Sequence, residues 1–137
     1  MDKTIVIVDE HPHVVSTLSG AVARAGYTVR GAHTFHEAMA LLQQVEPAAV
    51  VVSVELGAFN GLHLLLHANA LHPSARVIVM GPPSRAMADE ARALGAADYL
   101  PRPITTDAVV DLLDGLFFSQ VRPFVLPAHK RQAAGLR

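Results

Sequence analysis

The strongest indication of the fold is the stretch Ala48-Ala49-Val50-Val51-Val52-Ser53-Val54. Four of its seven residues are valines, and they leave neither side of a strand with a polar face. A strand of this kind has to be covered on both sides, as the inner strands of a parallel sheet are covered by helices. The stretch therefore predicts the centre of an α/β domain.

On both sides of this strand in the sequence, short apolar runs alternate with segments that have helical periodicity. The predicted strands are Thr4–Val8, Tyr27–Ala32, Ala48–Val54, Arg76–Met80 and Asp98–Leu100. The predicted helices run from Pro12 to Gly26, from Phe35 to Leu42, over Leu62–Leu71, over Ala86–Leu94, and from a cap at Thr105 or Thr106 to about Phe118. Residues 57–61 are predicted to be a loop.

Five strand–helix units in a row predict a single doubly wound parallel sheet, (βα)5. Because crossovers between parallel strands are right-handed, few topologies remain, and the flavodoxin-like strand order 2-1-3-4-5 is favoured. In such folds ligands bind at the carboxyl ends of the strands. The residues that directly follow each strand are therefore the candidate site.

Composition limits the functions that this chain can have. The chain has 137 residues, 51% of them hydrophobic, and a formal net charge of −1. It fits one domain and gives no overall electrostatic attraction to nucleic acid or membrane. The absence of cysteine excludes disulfides and cysteine-based zinc sites. With no signal-peptide pattern and no apolar run of about 20 residues, the expectation is a cytoplasmic protein without membrane contact.

Acidic residues follow the first strand, and a serine ends the third. Asp9 and Glu10 are adjacent at the predicted mouth of the sheet. Two neighbouring carboxylates repel each other, so a metal ion or a basic side chain usually lies close by. A solvated loop remains the alternative. Ser53 ends the central strand, and the following loop closes on Asn60-Gly61.

Taken together, residues 3–118 resemble a response-regulator receiver domain. The resemblance rests on the acidic pair, on the loop ending in Asn60-Gly61, and on Gly95-Ala96-Ala97-Asp98-Tyr99-Leu100-Pro101-Arg102-Pro103. It implies that Asp9 and Glu10, with the backbone of Glu55, are the Mg²⁺ position. It also implies that Ser53 stands in place of the phospho-accepting aspartate. The switch positions are then Gly81 and Tyr99, Arg102 replaces the lysine of the pocket, and Arg102-Pro103 is the cis-peptide position.

Three of these positions depart from the family. A serine is a poor nucleophile without a base and lacks the charge that helps to bind Mg²⁺. Gly81 has no hydroxyl, and Arg102 has a forked cation that prefers carboxylates. We therefore expect no aspartyl phosphorylation, weak or no Mg²⁺ binding and no other cofactor, with Arg102 paired to Asp9 or Glu10. Phosphorylation of Ser53 by a serine kinase is disfavoured because the residue ends a buried strand.

The histidines allow two further metal hypotheses. His11 and His13 flank Pro12 near the acidic pair, and His63 and His67 are four residues apart on one helix. Exposed imidazoles at the rim are the simpler interpretation for the first pair. A solvated or partner-facing stripe is the simpler interpretation for the second, since no third ligand is evident.

Residues 1–120 are predicted to be the receiver-like domain, and residues 121–137 a basic linker or tail. Residues 119–137 contain four basic residues and no acid, whereas residues 1–118 carry −5. The tail resembles the linkers that join receivers to LuxR-type helix-turn-helix domains.

The leading functional hypothesis is a non-enzymatic signalling module that regulates a DNA-binding output domain, which would be attached in cis after residue 137. It would dimerise through the fourth helix, the fifth strand and the last helix, or bind a protein partner or small ligand. Candidate contacts on that face are Met87, Ala91, Tyr99, Val110, Leu113 and Phe117. A stand-alone interaction adaptor is the alternative, and a small α/β enzyme using Asp9, Glu10 and the histidines is a third hypothesis.

Overall fold

The structure is a computed structural model, and it describes residues 3–118. The strands of its main sheet are β1 (Thr4–Val8), β2 (Thr28–Ala32), β3 (Ala49–Ser53), β4 (Arg76–Gly81) and β5 (Asp98–Pro101). The helices are α1 (Pro12–Arg24), α2 (Phe35–Gln44), α3 (Gly61–Leu71), α4 (Arg85–Ala93) and α5 (Thr106–Phe118). The predicted tail, 121–137, lies outside the described residues.

The five strands form one parallel sheet in the spatial order β2-β1-β3-β4-β5. This confirms the predicted (βα)5 architecture and strand order. All five residues of β3 are buried, as the valine run required. Two apolar layers cover the sheet. One contains Leu41, Leu65 and Ala91 of α2, α3 and α4, and the other contains Leu18 and Leu113 of α1 and α5.

One segment differs from the predicted loop between β3 and α3. Glu55–Leu56 pairs antiparallel with Phe59–Asn60 and forms a small hairpin that turns at Gly57, where φ is +61°. The hairpin is closed at its base, where the N–H of Gly61 donates to the carbonyl of Val54, the residue after β3, at 2.7 Å. A Cβ at Gly61 would collide with the carbonyl oxygen of Ser53, so this position requires glycine.

Helix ends follow the local sequence. Thr105 caps α5 by accepting the N–H of Ala108 at 3.1 Å, and Asn60 caps α3 by accepting the N–H of Leu62 at 2.8 Å. The Arg102–Pro103 peptide bond is cis, as the resemblance implied. Within residues 3–118, no helix combines the length and the apolar character that crossing a bilayer requires.

Candidate functional site

The carboxyl ends of β1, β3, β4 and β5 bring the predicted site residues to one edge of the sheet. Asp9 and Ser53 are both completely buried there, and they are the only polar or charged residues with that property in the described part of the chain. A buried carboxylate requires compensation by hydrogen bonds or by an opposite charge.

Arg102 supplies the opposite charge. Its Nη2 atom lies 2.6 Å from Ser53 Oγ and 3.4 Å from Asp9 Oδ2. Its Nε atom lies 3.9 Å from a carboxylate oxygen of Glu55, and it is buried without a hydrogen-bond partner. The backbone N–H of Arg102 donates to the carbonyl of Gly81 at 2.8 Å, which fixes the loop that carries the guanidinium. The predicted contact between Arg102 and Asp9 is therefore present.

Asp9 makes two further contacts, both with His11, the residue that directly precedes α1. The backbone N–H of His11 donates to Asp9 Oδ1 at 2.9 Å, and Nδ1 of the same ring lies 3.0 Å from that oxygen. The backbone bond is an Asx turn, a local motif that an aspartate followed by two further residues can predict. Asp9 thus has a partner at both oxygens.

Glu10 does not pair with Arg102, which was the other predicted possibility. One of its carboxylate oxygens accepts the backbone N–H of Gly57 at 2.8 Å. Asp9 is completely buried, whereas Glu10 is only partly buried, so Asp9 alone of the two acids is enclosed in the pocket. Glu10 instead holds the hairpin close to the end of β1.

The Ser53 hydroxyl lies between two hydrogen-bond donors, and its contacts within residues 3–118 include no base. Its oxygen accepts from Arg102 and, at 3.1 Å, from the backbone N–H of Glu55. Proton abstraction from a serine requires a neighbouring base, usually an imidazole, and none of the recorded contacts of Ser53 supplies one. The geometry suits a hydrogen-bonded structural hydroxyl.

The switch positions Gly81 and Tyr99 lie against each other. A Cβ at Gly81 would collide with the Tyr99 hydroxyl oxygen and lie 3.2 Å from the ring carbon that carries it. The ring is buried, and its hydroxyl donates to the carbonyl of Pro82 at 2.6 Å. Burial raises the pKa of this hydroxyl. The positive charge of Arg102 acts to lower the pKa, and the negative charge of Glu55 acts to raise it. Sequence reasoning missed this hydrogen bond, which depends on the absent side chain at Gly81.

The Mg²⁺ position implied by the resemblance does not fit the geometry well. Arg102 lies against one oxygen of Asp9, His11 lies against the other, and Glu10 accepts from Gly57. Among residues 3–118, no three acidic or histidine side chains are grouped as a metal site would require. That finding also removes the support for the histidine-based metal hypotheses within this range.

Two other groups of predicted residues have mixed outcomes. His63 and His67 are exposed on α3, and the ring of His67 contacts Phe35 edge-on at 5.9 Å. On the predicted contact face, Ala91, Tyr99 and Leu113 are buried in the two cores, so these three cannot form a surface. That part of the prediction was wrong, because the inward faces of α4, β5 and α5 carry these residues. Met87, Val110 and Phe117 are only partly buried.

Comparison with known proteins gives the same picture of the fold. Residues 5–114 match the response regulator receiver domain family. The chain is 30% identical to the chemotaxis protein CheY of Thermotoga maritima over 118 residues, which are 83% of this chain and 97% of that protein. It is 28% identical to the photosynthetic apparatus regulatory protein RegA of Rhodobacter capsulatus, over 82% of this chain and 61% of RegA.

A solved structure is similar over most of the chain. It is a Burkholderia pseudomallei response regulator with a phosphorylated aspartic acid, a calcium ion and citrate. The two share 27% identity with a TM-score of 0.75, over 96% of this chain and 81% of that one. The present chain thus spans almost all of one relative and about three-fifths of another.

Proposed function

This chain belongs to the response regulator receiver domain family, and we propose that it signals without aspartyl phosphorylation. The observation that carries the proposal is the contact of 2.6 Å between Arg102 Nη2 and Ser53 Oγ, beside the buried Asp9. The guanidinium takes the position where a transferred phosphoryl group would need to approach. The protein is then a cytoplasmic regulatory module and not an enzyme.

The chemistry at Ser53 supports this proposal. Phosphoryl transfer requires a nucleophile, charge compensation for the transferred group and usually a metal ion. Here the hydroxyl has no base, the candidate metal ligands have protein partners, and Gly81 offers no hydroxyl to the phosphoryl oxygens. The activation of the nucleophile, the charge compensation and the binding of a metal ion are therefore each impaired for a separate reason.

The second part of the proposal is that the pocket holds one conformation. Tyr99 fills the space left by Gly81 and donates to the carbonyl of Pro82, while Arg102 links β5 to the ends of β1 and β3. Pro82 and Pro83 restrict the loop that would have to move for a switch. A module whose pocket has one fixed conformation would signal through the molecules that bind to the module.

We propose that this module regulates a DNA-binding output domain, because a relative that is 27% identical over 131 residues is the DNA-binding transcriptional regulator NtrC of Azospirillum brasilense. The basic segment 121–137 would be the linker to it. A stand-alone adaptor is the alternative. In either case the signal would be contact with a second copy, a protein or a small ligand. The α4, β5 and α5 face, with Met87, Val110 and Phe117, is one candidate surface.

Intact-mass measurement tests the loss of phosphorylation. The chain is incubated with acetyl phosphate and Mg²⁺, and the Burkholderia pseudomallei relative, whose structure carries a phosphorylated aspartic acid, is the positive control. We expect the control to gain about 80 Da and this chain to gain nothing. A stoichiometric adduct on this chain would refute the proposal, and the acid stability of that adduct would distinguish a phosphoserine from an acyl phosphate.

A further inference from the structure

Helix α3 has an exposed surface that is unusual for a helix in contact with solvent. Its sequence, Gly61–Leu71, contains no Asp, Glu, Lys or Arg. His63, Leu66, His67 and Ala70 lie on the outer side of the helix, at the i, i+3, i+4, i+7 spacing of one helix face. We call these four residues the α3 stripe.

The large exposed apolar side chains are concentrated around this stripe. In the described range they are Phe59 (42% exposed), Leu66 (46%) and Leu71 (44%), all on α3 or on the hairpin before it. Phe59 stacks on Phe35 of α2 with ring centroids 4.9 Å apart, and the rings of His36 and His67 contact these two edge-on. A contiguous apolar and aromatic patch on the surface of a domain is typical of an interaction site. The ring contacts also order the patch before binding, which lowers the entropic cost of association.

We propose that the α3 stripe is the surface through which two copies of this chain associate. The inference rests on the proposed function, in which contact replaces phosphorylation as the signal. It differs from the dimer face predicted from the family resemblance. It also accounts for the uncharged outer face of α3, which neither the core nor the pocket requires.

The distribution of charge favours α3 over the α4, β5 and α5 face as the dimer surface, and a second copy over a nucleic acid as the partner of α3. A two-fold interface brings together two faces of the same net charge, so a face with a large net charge repels its copy and a neutral face does not. The elements α4, β5 and α5 together carry two arginines (Arg85 and Arg92) against six Asp and Glu residues, a net charge of −4. Helix α3 carries none of either sign. A nucleic acid would require the basic residues that α3 lacks.

The stripe is also self-complementary in shape. Two α3 helices packed antiparallel about a two-fold axis between Leu66 and His67 place His63 of one copy opposite Ala70 of the other. A large side chain then meets a small one on both sides of the centre, as ridges-into-grooves packing requires. Because an eleven-residue helix is only about 16 Å long, the interface is small and the dimer should be weak, in the micromolar range or above.

Sedimentation of the full 137-residue chain, from micromolar to near-millimolar concentration, tests this inference. We expect the average mass to rise from monomer towards dimer. Leu66→Glu and Ala70→Glu should each raise the dissociation constant at least about tenfold, since they bury a charge against the other copy. Ala86→Glu places the same change as Ala70→Glu on an exposed position of α4 and should leave association unchanged.

A charge-pair experiment tests the geometry. Ala70→Glu chains mixed with His63→Lys chains should associate more tightly than Ala70→Glu chains alone, because the new carboxylate at position 70 of one copy meets the new ammonium at position 63 of the other. Circular dichroism melts check that each variant is folded. A chain that stays monomeric at all concentrations overturns the inference, and so does a dimer that Ala86→Glu dissociates and Leu66→Glu leaves intact. A phosphoryl adduct with association through α3 retained would refute only the proposed function.

Discussion

Replacing Arg102 by alanine removes the guanidinium that lies against the buried Asp9 carboxylate. The charges are 3.4 Å apart, and an effective dielectric constant of about 20 gives a gross attraction of roughly 5 kcal/mol. Most of this is offset by the cost of removing both groups from water. The two donors of His11 remain and compensate Asp9 in part. We therefore expect Arg102→Ala to lower the free energy of unfolding by about 1–3 kcal/mol at neutral pH.

A double-mutant cycle identifies which acid is responsible. Arg102 contacts Asp9, and Glu10 instead accepts from Gly57, so the two adjacent acids are matched test and control. The coupling energy between Arg102→Ala and Asp9→Asn should be about 1 kcal/mol or more. That between Arg102→Ala and Glu10→Gln should be below about 0.5 kcal/mol. Urea unfolding at neutral pH measures every single and double variant against the parent.

Added Mg²⁺ provides an independent check. In Arg102→Ala the Asp9 carboxylate loses its counter-charge, so the ion can take that place and restore part of the lost stability. Two results would refute the reasoning. One is an Arg102→Ala protein with the stability of the parent and no response to Mg²⁺. The other is equal coupling to Glu10 and Asp9, which would mean that the guanidinium acts through the general field of the pocket and not through the observed contact.

Two other predictions follow from the same pocket. The parent chain should melt at the same temperature with and without about 10 mM Mg²⁺, and a rise of several degrees would show a working metal site. Gly81→Ala should cost about 1–3 kcal/mol and expose Tyr99, because the added methyl collides with the buried hydroxyl. Gly115→Ala is the matched control, since a Cβ there meets nothing within 4 Å. Ultraviolet absorbance of the tyrosines reports the exposure, and an unchanged spectrum in Gly81→Ala would contradict the packing argument.

The sequence was sufficient for the fold because the strands carry their own signal. The valine run of β3 has no polar face, and each of the first four helices ends near a glycine or proline. The small hairpin after β3 carries no such signal. Each of its strands has two residues, and the turn depends on Gly57 at positive φ. The hydrogen bond of Tyr99 with Pro82 was not predicted, because nothing in the sequence shows which group the tyrosine hydroxyl reaches.

The choice of partner for Arg102 shows where sequence reasoning stops. The adjacent acids favour a cation close by, and the resemblance to receiver domains implies that Arg102 lies at that edge. Neither indication distinguishes Asp9 from Glu10, because the direction of each side chain depends on how β1 ends. The wrong contact-face residues have a related cause. Ala91 and Leu113 were assigned from the family's usual surface, although helical periodicity places apolar residues of α4 and α5 towards the core.

The three departures that the resemblance implies are accompanied by two specific contacts, Ser53 with Arg102 and Gly81 with Tyr99. A serine at position 53 is short and neutral, which leaves room for the guanidinium of Arg102 to donate to it and still reach Asp9. The glycine at position 81 leaves room for Tyr99, whose hydroxyl then satisfies the carbonyl of Pro82. Restoring an aspartate at position 53 alone would place a carboxylate directly on Arg102, where an ion pair would cover its oxygens. It would leave position 81 without a hydroxyl. Under the proposed function, Ser53→Asp alone therefore leaves the chain unable to accept a phosphoryl group, and phosphorylation would require changes at positions 81 and 102 as well.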